Sequence, residues 1–137
     1  MKPIFSIPVR VYYEDTDAAG VVYYANYLKF MERARTEWLR QLGFEQDELV
    51  RRSGVLFAVR SITADFIKPA RFNDLLQATV AVQRVGGASL TFAQTIERDG
   101  AALCQGEVKI ACLAAGDFTP RAVPRDILER VEAHRLT

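Results

Sequence analysis

Tyr12-Tyr13-Glu14-Asp15-Thr16-Asp17-Ala18-Ala19-Gly20-Val21-Val22-Tyr23-Tyr24-Ala25-Asn26-Tyr27 stands at the junction between two kinds of apolar periodicity. Upstream, Phe5, Ile7, Val9, Val11 and Tyr13 alternate against a mixed opposite face, which predicts a strand over 5–13. Downstream, Tyr27, Leu28, Met31, Ala34, Trp38 and Leu42 recur at mostly helical spacings, with Lys29, Glu32, Arg33, Glu37 and Arg40 on the other side. Gly43 suits the position just past a helix end, so the pattern predicts a helix over 23–42. A helix of that length is roughly 30 Å long, enough to cross a small domain. The junction itself holds the carboxylates of Asp15 and Asp17 and a glycine turn at Gly20. A helix N-terminus carries unpaired N–H groups and a partial positive charge. A carboxylate beside it can attack a carbonyl or activate water while the amides polarise the carbonyl oxygen. That chemistry suits acyl transfer without a Ser-His-Asp triad.

The rest of the chain lacks the usual hydrolytic apparatus. Its only histidine is His134, near the C-terminus and most simply read as exposed on a terminal helix, so a histidine-based triad or zinc cluster has no basis. Ser6, Ser53, Ser61 and Ser89 lie in no G-x-S-x-G elbow. No phosphate-binding G-x-x-x-x-G-K-[ST] loop is present, and Gly86-Gly87 does not extend into a dinucleotide fingerprint. Asp15 to Gly20 mimics the opening of a calcium-binding EF-hand. It fails at Ala19, which offers no side-chain ligand oxygen, and at Asn26, which stands where a bidentate glutamate is needed. Neither a metal nor a separate cofactor is expected.

Further along, a short helix is predicted over 46–52 and strands over 56–67, 74–84, 89–98 and 101–114, with a closing helix over 124–135. Leu76, Ala78, Val80, Val82 and Leu90, Phe92, Gln94, Ile96 alternate in the middle two strands. Arg98-Asp99-Gly100-Ala101 is a tight hairpin signal, Val85-Gly86-Gly87-Ala88 a looser one, and Lys68-Pro69 ends a strand. Strand, long helix and four strands leave little room for parallel crossovers. The expected fold class is therefore α+β, a five-stranded antiparallel sheet wrapped around a long central helix, as a single domain over 1–137. Its sheet edges and uncovered face call for partners, so an oligomer is expected.

Half of the 137 residues are hydrophobic and 26% charged, which is ordinary for a globular chain. A net charge of +1 gives no reason to expect nucleic-acid binding, and no apolar run approaches a membrane span of ~20 residues. Met1 to Ser6 has no apolar core of a signal peptide. Cys104 and Cys112 stand eight residues apart in one predicted strand, about 26 Å along it and beyond disulfide reach. Buried free thiols and a cytoplasmic location are the reading.

The segment from Val11 to Tyr23, with Glu32-Arg33-Ala34-Arg35-Thr36-Glu37, the run from Asp65 to Asp74 and Pro120-Arg121-Ala122-Val123-Pro124, resembles the hotdog-fold acyl-CoA thioesterases. The match is to the group of 4-hydroxybenzoyl-CoA thioesterase and the Tol-Pal-associated, YbgC-like thioesterases, and with the element order it covers nearly the whole chain. The resemblance implies that Asp17 is the catalytic carboxylate, as nucleophile or as general base toward water. It also implies that the backbone amide at Tyr24 binds the thioester oxygen and that Asp15 matters much less than Asp17. Many YbgC-like members have histidine where this chain has Tyr24, whereas the 4-hydroxybenzoyl type has tyrosine. Candidate substrate contacts are Tyr13 and Val21 beside the acidic loop, Arg60 in the second strand, and Arg84, Gly86 and Ser89 near the coenzyme A phosphates. Tyr23 and Tyr27 are expected to pack.

The resemblance further implies an acyl-CoA substrate, a possible acyl carrier protein partner and a homotetramer built as a dimer of dimers. The rival reading is a non-catalytic or weakly catalytic partner of an envelope (Tol-Pal) complex. A hotdog dehydratase is weaker, because such enzymes pair a carboxylate with a histidine and this chain has none nearby.

Overall fold

The computed structural model describes residues 5–134; the side chain of His134, expected to lie exposed, falls outside the described residues. The elements run β1 (Phe5–Arg10), a 3-10 turn (Tyr13–Asp15), α1 (Tyr24–Gln41), α2 (Gln46–Ser53), β2 (Val55–Phe66), β3 (Leu75–Val85), β4 (Ser89–Arg98), β5 (Ala101–Ala114) and α3 (Arg125–His134). The strands form one five-stranded sheet in the order β1-β3-β4-β5-β2. Every neighbouring pair is antiparallel. This is the α+β arrangement expected from the element order.

α1 lies against the sheet through β1, β3 and β4. Its 18 residues span about 27 Å. Phe30, Met31 and Ala34 are fully buried on its inner face, and Tyr27 and Trp38 nearly so. They meet Leu76, Ala78, Val80 and Val82 from β3 and Leu90, Phe92 and Ile96 from β4, the inward residues of the predicted alternations. Burying a side chain the size of Phe30 contributes roughly 1.5–3 kcal/mol. The β4–β5 turn follows its sequence signal: Asp99 (φ 53°) and Gly100 (φ 81°) both take the left-handed conformations of a tight hairpin. Cys104 and Cys112 are buried free thiols on β5, and burial pushes the Cys104 thiol up to about 11.

β1 is shorter than its alternation predicts. The Asp15 carboxylate accepts the Tyr12 N–H (2.8 Å), and the Asp15 N–H donates to the Tyr12 carbonyl (3.0 Å), so the chain turns away after Val11. Tyr13 thereby leaves the strand and is 80% exposed. The edge strand β2 carries a bulge, because its register with β5 slips between Val59 and Ser61 and leaves Arg60 as the extra residue.

Candidate active site

A small hairpin delivers the chain from the 3-10 turn into α1. The Asp17 N–H donates to the Val21 carbonyl (2.9 Å), the Tyr23 N–H donates to the Asp15 carbonyl (2.9 Å), and Thr16 pairs with Val22. Its tip is the turn Asp17-Ala18-Ala19-Gly20, closed by Gly20 N–H to the Asp17 carbonyl (2.9 Å). Gly20 adopts φ 79°, a conformation that favours glycine. One Asp17 carboxylate oxygen accepts the Ala19 N–H at 2.8 Å, so Asp17 also performs the turn role its position suggests. The Asp17 side chain is nevertheless exposed. Val21, opposite it, bridges outward to Arg71 and is half-buried.

Asp15 has the opposite environment. It is only 6% exposed, and its second carboxylate oxygen accepts the Asn26 side-chain amide at 2.9 Å. Asn26, in the first turn of α1, was not singled out by sequence reasoning. Its signal was a polar residue on the apolar face of a helix, which needs a buried partner. Asp15 thus ties the 3-10 turn to α1, and the hairpin between them is held at the helix start.

A second clamp comes from the segment before β3. The Ala70 carbonyl accepts the Val22 N–H (2.8 Å), and the Ala70 N–H donates to the Tyr27 hydroxyl (2.9 Å). That segment is fixed in turn by Asp74, which accepts the Arg71 N–H (2.9 Å) and pairs with Arg98 (2.7 Å). Partial burial pushes the Asp74 carboxyl up, but the hydrogen bonds from Arg71 and Arg98 and both positive charges outweigh it, leaving it below its ordinary value. Tyr27 packs as expected. Tyr23 does not: it is 47% exposed and lies against the Tyr24 ring at 4.8 Å.

At the start of α1, Tyr23 takes an extended conformation (φ −62°, ψ 131°), and no side chain caps the helix. The first amides of a helix, that of Tyr24 included, have no acceptor within it. Asp17 pairs with Val21, three residues before Tyr24, so about 10 Å of extended chain separates the carboxylate's backbone from that amide. Exposed aromatic rings surround the helix start: Tyr13 meets Phe72 edge to face (5.7 Å), and Tyr24 meets Phe66 (6.0 Å). The arrangement provides a solvent-facing carboxylate, an uncapped helix dipole and apolar surface in one place.

Arg84, Gly86 and Ser89 come together in a separate groove of about 400 Å³ on the β3–β4 turn, with Ser61, Thr63 and Lys109 on its walls. A Cβ at Gly86 would come 2.6 Å from the Ser89 hydroxyl, so a larger residue there would turn the Ser89 side chain away. Arg84 pairs with Glu107 at 3.3 Å, and Lys109 adds a second cation. Arg60 is exposed on the β2 bulge and is not among the residues that line the groove, whereas its neighbour Ser61 is. Among the described residues no group of three His, Cys, Asp or Glu side chains is placed to hold a metal ion.

Comparison with known proteins bears on this geometry. Residues 19–105 match the model of the thioesterase superfamily. The chain is 46% identical over 123 residues to the acyl-CoA thioesterase YbgC of Haemophilus influenzae, covering 90% of each. It is 44% identical over 126 residues to the acyl-CoA thioester hydrolase YbgC of an Escherichia coli O6:H1 strain, covering 91% of this chain and 93% of the other. Among solved structures, a probable thioesterase from Bartonella henselae superposes with a TM-score of 0.84 at 35% identity, over 89% of this chain and 100% of that one. The chain belongs to the thioesterase superfamily and has its hotdog fold, a five-stranded antiparallel sheet around a long helix.

Proposed function

We propose that this thioesterase hydrolyses an acyl-CoA thioester to the free acid and coenzyme A at the start of α1. One observation carries the reading: the hairpin bearing the exposed Asp17 carboxylate closes on Tyr23, the residue that opens the uncapped α1, through the Tyr23 N–H to the Asp15 carbonyl. The thioester oxygen takes the Tyr24 amide, where negative charge develops as the carbonyl carbon becomes tetrahedral. In one form of the reaction an Asp17 oxygen attacks that carbon. The C–S bond then breaks, the thiolate leaves and is protonated, and water hydrolyses the mixed anhydride. In the other, Asp17 takes a proton from water as the water oxygen attacks, and the tetrahedral intermediate then breaks its C–S bond, the thiolate leaving to be protonated. Both end in the carboxylic acid and free coenzyme A, and neither uses a metal.

Tyr13 and Val21 flank the acyl group in this reading. The groove at Arg84, Gly86 and Ser89 receives the coenzyme A phosphates, because two cations against one carboxylate leave it net positive. The exposed rings of Tyr13, Phe66 and Phe72, together with the long edge strand β2, suit contacts between copies in a dimer of dimers. A cytoplasmic enzyme acting on coenzyme A, or on an acyl carrier protein bearing the same thioester arm, fits these features. The direct test follows free coenzyme A thiol during incubation with short, long and aromatic acyl-CoAs. Thiol release from at least one of them is expected. No release from any, with the protein folded and binding acyl-CoA, would leave the envelope-complex binding role in its place.

A further inference from the structure

A cavity of about 310 Å³ opens between the C-terminal half of α1 and strands β2, β4 and β5. Trp38, Phe57, Leu90, Phe92 and Ile110 supply apolar walls, and Arg35 lies among them only 9% exposed. Arg35 donates one hydrogen bond, from Nη1 to the Gln94 side-chain oxygen at 2.8 Å. Gln94 is oriented for this by its own amide nitrogen, which donates to the carbonyls of Met31 (3.0 Å) and Thr79 (3.2 Å). No carboxylate lies within ion-pair distance of Arg35 among the described residues. Among the described residues every fully buried side-chain nitrogen or oxygen has a partner, so the guanidinium donors left over from Gln94 reach accessible space, and Arg35 lines this cavity. A guanidinium offers five N–H donors in a rigid fork that matches a carboxylate.

We propose that this cavity binds a small apolar carboxylate, its charge on Arg35 and its hydrocarbon part against Trp38 and Phe92. The volume sits at the small end of ligand pockets, the size class of a benzoate or a short fatty acid. Burial lowers the pKa of Arg35, and the charge of Glu32 opposes that shift without forming an ion pair. Glu32 is exposed on the cavity lining, while the cation is the buried charge, so the cavity selects for an anion. Thr36 and Gln46, hydrogen-bonded to each other at 3.4 Å, add polar groups to the lining. Arg35 stands eleven positions from Tyr24, about 16 Å along α1, so this site is apart from the proposed reaction centre. Thioester hydrolysis releases a carboxylate, so the enzyme generates the class of ligand the cavity accepts.

Trp38 is the only tryptophan of the chain and lines the cavity, so its fluorescence reports occupancy. Titrating the full chain with benzoate should give a saturable change, with neutral benzamide binding about tenfold more weakly or worse. Arg35→Met should cost benzoate about tenfold or more in affinity, with cooperative melting retained. If that variant fails to fold, Val59→Phe fills the cavity from β2, on the face it shares with Phe57 and Ile110, while keeping Arg35, and should abolish the benzoate response. Asp17→Asn should leave benzoate affinity unchanged, which separates this site from the reaction centre. Absence of saturable benzoate binding overturns the proposal, as does equal affinity for benzamide or a preference for benzylammonium. Benzoate binding that survives Val59→Phe, or is lost in Asp17→Asn, overturns it as well.

Discussion

At its C-terminal end α1 runs into a closed set of hydrogen bonds. The Leu42 N–H donates to Trp38, that of Gly43 to Arg40 and that of Phe44 to Leu39, while Arg130 of α3 donates to the Leu42 carbonyl at 3.1 Å. At its N-terminal end no side chain caps the helix, and the residues just before it, Tyr23 and the Asp17 turn, are exposed. Side-chain caps typically contribute ~1 kcal/mol, so an uncapped helix start forgoes easily gained stability. The contrast teaches where a ligand fits: the closed end needs nothing more, and the open end has amides to offer. Stability at the open end comes from below, through Asp15, Asn26 and the Ala70 clamp, which leave the amide face clear.

The sharpest way to break this comparison is Tyr24→Pro. Proline is tolerated in the first helical turn, and Tyr23 already has the extended conformation that a residue before proline requires. The variant should fold, yet it lacks the proposed oxyanion donor, so kcat should fall by roughly 10²–10³-fold. Tyr24→Phe, which keeps the amide, should change kcat only mildly. Equal turnover by Tyr24→Pro and wild type in a coupled thiol assay contradicts the assignment.

A smaller effect is expected from Asp15→Asn. Its carboxylate accepts from two donors, Tyr12 N–H and the Asn26 amide, and an asparagine offers only one acceptor oxygen toward them. One buried donor is left facing an N–H, which costs about 1–3 kcal/mol in stability measured by urea unfolding. Turnover of the folded fraction should drop through loosened geometry, by less than for loss of the reacting carboxylate. The smallest effect belongs to the closed end. Arg130→Met removes the bond to Leu42 and should cost about 1 kcal/mol, with kcat unchanged. A drop in kcat there, without unfolding, would show that the two ends are not independent.

The periodicities of α1, β3 and β4 made most of the fold legible, because each apolar residue in the pattern needed only a face to be placed. The Asp99-Gly100 turn was legible for a local reason, its left-handed backbone. The early end of β1 was not. Tyr13 continues the alternation, and Asp15, whose carboxylate and N–H both fold back onto Tyr12, breaks the strand. Gln94 was legible only as a member of the β4 alternation; its partners Arg35, Met31 and Thr79 are distant in sequence. At the site, Asp17 and Tyr24 were named from the family resemblance, while the different burial of the two aspartates came only from the structure. Arg60 was grouped with Arg84 by charge alone, and the bulge in β2 separates it from that groove.

The central claim is that the exposed carboxylate at the hairpin tip carries the reaction, and kcat of Asp17→Asn tests it most directly. Asparagine keeps the volume and the oxygen that accepts the Ala19 N–H, so the turn should persist. With a cooperative melt and acyl-CoA binding both retained, kcat for thiol release should fall by roughly 10²–10⁴-fold. Wild-type turnover in that folded variant would contradict the account.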